Sequence, residues 1–106
     1  MAKHNIITLF ILILGITALF FVQFSTPTLY DADGYLHIRM AEFLKDLGPR
    51  YNFHWAKFST FNGNFADKDF LYHAVLIPFT FFKDIFFGAK AAAFIFTVLL
   101  FLGFYL

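Results

Sequence analysis

Apolar and polar positions fall into long blocks along the chain. Ile6 to Phe24 has no charged side chain, and Gln23 is its one strongly polar residue. At 1.5 Å per residue this run nearly spans a hydrocarbon core of roughly 30 Å. Leu71 to Phe87 is a second apolar run, interrupted by His73, Pro78 and the pair Lys83–Asp84. A third, Ala91 to Leu106, has no charge. Between the first two lies residues 25–70, holding five of the eight basic and six of the seven acidic residues. The pattern predicts an all-α membrane protein with about three transmembrane helices. The divisions are a tip and first spanning helix at 1–24, a polar loop at 25–70, a second helix at 71–87 and a third at 88–106.

The first run has a positive start, Met1-Ala-Lys-His4. It is nevertheless longer than a signal-peptide core of about 7–15 residues, and no small-x-small site follows, so an uncleaved anchor is expected. Lys3 on the cytoplasmic side, with Lys83 and Lys90 returning to it after two crossings, places the amino terminus inside and loop 25–70 outside. The second run is the weakest span. Pro78 removes a helix hydrogen bond, and a re-entrant or interfacial course is the alternative.

Within the loop, residues 33–47 carry a helical pattern. Leu36, Met40, Phe43, Leu44 and Leu47 share one face. Asp31 or Asp33 can cap its start, and Gly48-Pro49 ends it. This is expected to be an amphipathic helix lying along the outer interface. Aromatics from Tyr51 to Phe61 predict a second interfacial segment anchored at the headgroups, closed by a turn at Asn62-Gly63-Asn64.

Composition agrees with a membrane location: 60% hydrophobic, 24% aromatic, 14% charged, with a mean hydropathy of +0.71. No Cys is present, which excludes a disulfide scaffold and thiol chemistry. A formal charge of +1 offers no basic surface for nucleic acid. No phosphate loop, dinucleotide fingerprint, H-E-x-x-H or nucleophile elbow appears.

The candidate chemistry is acidic. Asp31 and Asp33 form a D-x-D pair just after the first span, and Asp67 and Asp69 form another just before the second. His37 and His73 each stand four residues beyond the second aspartate, giving two D-x-D-x-x-x-H elements. Carboxylates suit a hard divalent cation that neutralises a phosphate leaving group. One could instead take a proton from a hydroxyl. The same residues would also serve as helix caps and satisfied interface histidines.

Asp33-Gly-Tyr-Leu-His-Ile-Arg39 resembles the D-x-Y-x-x-x-R element of catalytic oligosaccharyltransferase subunits. Asp69-Phe-Leu-Tyr-His-Ala-Val-Leu-Ile-Pro78 resembles the start of the second membrane helix in protein-mannosyltransferase and aminoarabinose-transferase relatives. Phe82-Lys-Asp-Ile-Phe-Phe-Gly-Ala-Lys-Ala-Ala-Ala93 resembles their inner turn into a third helix. Nearly all 106 residues are covered by this resemblance to GT-C-type integral membrane glycosyltransferases. It implies the opening part of a larger polytopic fold, completed by further helices of the same protein or by partner subunits. It also implies a polyprenyl-phosphate-linked sugar donor and an extracytoplasmic site in a bacterial or archaeal plasma membrane. Asp33 and Asp69 are the implied catalytic residues, and Asp33, Asp31 and Asp69 the implied ligands of Mg or Mn. Arg39, His37, His73 and Asp67 support them. Full length implies a glycosyltransferase, whereas this stretch alone is not expected to turn over. The other expectation is a small structural or accessory membrane protein.

Overall fold

A computed structural model describes residues 2–52, 57–59, 62–63 and 65–105. The described residues are all-helical, with no strand. Helix α1 spans Ala2–Phe24, α2 Ala32–Leu47, α3 Phe70–Leu76 and α4 Ile85–Tyr105; a 3-10 segment, Ile77–Phe81, continues α3.

Helices α1 and α4 are long and apolar enough to cross a membrane by length and composition. Two of their hydroxyls bond within the helix: Thr17 donates to the Ile13 carbonyl at 2.8 Å and Thr97 to that of Ala93 at 2.7 Å. At the end of α1 the Val22 carbonyl accepts from Ser25 Oγ at 2.8 Å and from the Tyr30 hydroxyl, so a helix end without intrahelical donors is closed by side chains. The two helices run antiparallel. Phe24 meets Phe87 at a centroid distance of 5.4 Å, and Phe20 meets Phe94 at 5.5 Å.

The expected second span, 71–87, is not one helix. Its helical part, Phe70–Phe81, has 12 residues. At 1.5–2.0 Å per residue that is too short to cross about 30 Å. Pro78 sits where the α-helix gives way to the 3-10 turn, and Phe82 is extended at φ −65° and ψ 143°. Asp84 then accepts from the Phe86 amide at 2.9 Å, capping α4 three residues earlier than expected. Gly88 allows the reversal. A Cβ there would lie 1.9 Å from the Phe79 carbonyl oxygen, so only glycine lets α4 pack on the 3-10 segment.

This changes the topology. The buried Lys90 ammonium donates to the Thr26 carbonyl and lies 5.6 Å over the Tyr30 ring. Lys90 thus sits beside the loop that follows α1, at the same end of the helix pair. The described polar residues between α1 and α4 form a cap at one end of a two-helix hairpin. Arg39, Lys45, Arg50, Lys57, Lys68, Lys83 and Lys90 are on the cap side, leaving Lys3 alone on the other. The charge argument for an external loop therefore loses its second and third supports.

Helix α2 starts and ends as its sequence demands. The Asp31 carboxylate accepts from the Gly34 amide at 2.7 Å, and the Gly48 amide donates to Leu44 at 3.1 Å with φ at +83°. Its buried face differs from the expected one. Met40 and Leu44 are buried, but so are Ile38 and Ala41, while Leu36 and Leu47 are 51% and 61% exposed. Helix α2 packs on α3, the 3-10 segment and α4 rather than lying alone at an interface. Ala41, Leu76 and Ala92 form one cluster, and Met40, Leu44 and Tyr51 another. The expected interfacial segment at 51–61 falls mostly outside the described residues. Its closing turn is present at Asn62 and Gly63, where the Asn62 amide donates to Ser59 at 3.2 Å.

Candidate functional site

The two D-x-D-x-x-x-H elements meet through their histidines. His37 on α2 places Nδ1 2.8 Å from Nε2 of His73 on α3. Nδ1 of His73 lies 2.6 Å from Oδ2 of Asp67. The same oxygen accepts from the Tyr51 hydroxyl at 3.2 Å, and Oδ1 accepts from the Asp69 amide at 3.0 Å. Asp67, the residue before the turn into α3, thus takes three donors. His73 and Asp67 side chains are 3% and 6% exposed. A carboxylate oxygen accepts, which places the His73 proton on Nδ1. Nε2 then accepts, so His37 carries its proton on Nδ1 and its lone pair on Nε2.

Local sequence explains why these atoms converge. His37 follows Asp33 by one helical turn on α2, and His73 does the same after Asp69 on α3. Burial of Ile38 and Ala41 against α3, the 3-10 segment and α4 turns the His37 edge of α2 toward His73. Tyr72 meets His37 edge-on at a centroid distance of 5.1 Å. Burial, then the neighbouring Asp67 charge and hydrogen bond, push the Tyr51 phenol well above its ordinary value.

His37 borders two cavities. One, of about 280 Å³, is lined by Asp31, Asp33 and His37 with Gln23 from α1 and Ala89 and Ala93 from α4. The other, of about 350 Å³, is lined by His37, Asp67, Asp69 and His73 with Met40 and Phe65.

The expected site residues divide accordingly. Asp33 and Asp31 belong to the first cavity, and Asp31 also serves as the α2 cap. Asp69 lies beside the histidines, with Lys68 3.8 Å from its Oδ2. Asp67, expected only as support, is the carboxylate that holds His73. Arg39 pairs with Glu42 on the surface of α2, its side chain 52% exposed, which makes it a helix-face ion pair. The expected cation ligands Asp31, Asp33 and Asp69 do not form one ligand group. Among the described residues the group with ligand atoms within 4.8 Å of one another is His37, Asp69 and His73. Tyr51 was legible only as an aromatic headgroup anchor; no spacing rule ties it to Asp67, 16 residues away.

Comparison of the chain with protein-family models, with curated proteins and with solved structures finds no match.

Proposed function

We propose that the chain is the amino-terminal part of an integral membrane transferase acting on a polyprenyl-phosphate-linked sugar at the membrane boundary. The observation that carries this is the cavity between the cap and the two long helices. Its apolar wall comes from Ala89, Ala93 and Leu76, and its polar side from Asp31, Asp33 and His37. An apolar wall with a few convergent polar groups suits a lipid carrying a polar head. Large hydrophobic side chains are exposed along α1 and α4, and burial within the chain reaches 0% and 17% of their apolar windows. That is the reverse of a soluble core helix, and it fits lipid or further helices of the same assembly on those flanks.

In this reading Asp33, at the open rim, accepts hydrogen bonds from sugar hydroxyls. His37 takes the proton of an acceptor hydroxyl at Nε2 and passes the proton on its Nδ1 to Nε2 of His73. The resulting imidazolium is stabilised by Asp67, as a buried carboxylate stabilises the histidine of a hydrolase triad. The hard-cation trio implied by the resemblance does not fit these positions, and no step here depends on it.

The test is sugar transfer by the full-length protein in proteoliposomes supplied with polyprenyl-phosphate hexoses. Asp33→Asn and His37→Gln are expected to lose transfer while expressing normally. Unchanged transfer in both would overturn the reading. The reading also requires the cap to face outward. Seven Lys/Arg in the cap against Lys3 at the tip favour the opposite orientation. A cap labelled only from the cytoplasm would favour the second reading, an accessory two-helix membrane protein.

A further inference from the structure

We propose that His37, His73 and Asp69 form a binding site for a divalent transition metal of the zinc class. This goes beyond the transferase reading: a metal on His37 Nδ1 and His73 Nε2 takes the place of the proton relayed between them, and binding is measured apart from transfer.

Three observations converge. The two imidazole nitrogens face one another at 2.8 Å, and an Asp69 oxygen completes a set of donor atoms within 4.8 Å. Nitrogen-rich donors of this kind suit zinc and its neighbours, whereas Mg and Mn prefer all-oxygen sets. The second observation lies behind the ligand. His73 directs Nδ1 to the buried Asp67 carboxylate at 2.6 Å, which leaves Nε2 as the lone-pair nitrogen. Metal-ligating histidines almost always donate their other ring N–H to a carboxylate, a backbone carbonyl or water, which fixes the tautomer and ring orientation. Here Asp67 is itself held by Tyr51 and by the Asp69 amide. The third is space. A cavity of about 350 Å³ is lined by all three ligands and by Asp67, leaving room for water or a substrate oxygen in the fourth position of a catalytic zinc site.

Metal entry is chemically simple. Zinc–nitrogen bonds of about 2.0–2.1 Å at a tetrahedral angle separate two nitrogens by roughly 3.3 Å. The two nitrogens therefore part by about half an ångström, and the His37 ring turns so that both lone pairs meet at the metal. His37 is only partly buried and can make that movement, while His73 is held in place. The His37 proton moves from Nδ1 to Nε2, the tautomer that a Nδ1 ligand requires, so neutral His37 loses no net proton. Lys68, exposed and 3.8 Å from Asp69, releases the carboxylate by swinging into solvent.

The experiment uses the full chain purified in detergent with a tag free of histidine. After chelator treatment, zinc is titrated by calorimetry, and Co²⁺ is added as a spectroscopic substitute. One zinc per chain and tetrahedral cobalt bands are expected. His37→Ala and Asp69→Asn should each abolish the bands, with far-ultraviolet circular dichroism showing an intact fold. Asp67→Asn should weaken zinc binding about 10–100-fold without changing its stoichiometry. Asp46→Asn, on the exposed face of α2, should leave binding unchanged. Absence of zinc binding by the wild type overturns the assignment. So does binding that survives His37→Ala, or displacement of zinc by equimolar Mg²⁺. Because binding is read without transfer, an inactive protein that still takes up zinc removes the transferase reading alone.

Discussion

Asp67→Ala is the most informative single change in the cap. The carboxylate accepts from His73 Nδ1 at 2.6 Å, the Tyr51 hydroxyl at 3.2 Å and the Asp69 amide at 3.0 Å. Alanine leaves all three donors without that acceptor. A buried donor left unpaired costs about 1–3 kcal/mol. Water from the adjoining cavity can serve the Asp69 amide, which lies on a partly exposed residue. The His73 and Tyr51 donors are buried. Tyr51 keeps the Met40 sulfur at 3.7 Å as a weak acceptor, so the His73 donor dominates and the expected destabilisation is about 2–4 kcal/mol. Asp67→Asn keeps one acceptor oxygen and should cost about 2 kcal/mol. Because α1 and α4 hold most of the helical residues, unfolding of the cap is best followed by the near-ultraviolet tyrosine signal during denaturant titration. A double-mutant cycle with His73→Ala isolates the pair, with a coupling of about 1.5–3 kcal/mol expected. An Asp67→Ala cost below about 1 kcal/mol, or a coupling within about 0.5 kcal/mol of zero, would refute the buried relay.

Gly88→Ala should destabilise the packing of α4 on the 3-10 segment by about 1–3 kcal/mol, since its Cβ meets backbone at Phe79. Gly15→Ala, with nothing within 4 Å of its Cβ, is the control and should leave stability unchanged or slightly raised in the same denaturation assay. The raised Tyr51 phenol predicts an alkaline limit. The stability it contributes is fully present below the unfolded value near pH 10 and is lost as pH rises through the higher folded value. Tyr51→Phe should flatten that alkaline decline, and a wild-type profile identical to that of Tyr51→Phe would contradict it. The absence of Cys makes topology directly measurable. Single Thr28→Cys and Lys83→Cys variants should react with an impermeant maleimide from the same side of sealed vesicles, whereas reaction from opposite sides would restore a three-crossing arrangement.

Much of the architecture was legible because it is set within a few residues. Runs without charge made α1 and α4 helical and apolar whatever their neighbours. Asp31 started α2 and Gly48 ended it through contacts no more than four residues away. The spacing of Asp33 to His37 and of Asp69 to His73 likewise followed from one helical turn. The break in the second apolar run was not legible. Hydropathy counts Leu71 to Phe87 as apolar, but Pro78, the Asp84 cap and the close approach of Gly88 to Phe79 break the helix and turn the chain back.

What the sequence by itself determined was therefore a pair of apolar helices, a capped amphipathic helix between them, and two acidic-histidine elements at their boundaries. Only the tertiary structure decided that Ile38 and Ala41, rather than Leu36 and Leu47, face inward, because a buried face exists only once another element covers it. It alone joined His37 to His73 across 36 residues and chose Asp67 rather than Asp69 as the partner of His73. Helical periodicity carries information over a turn or two. Contacts between separate elements depend on how those elements pack, and the chemistry of this site lies entirely in such contacts.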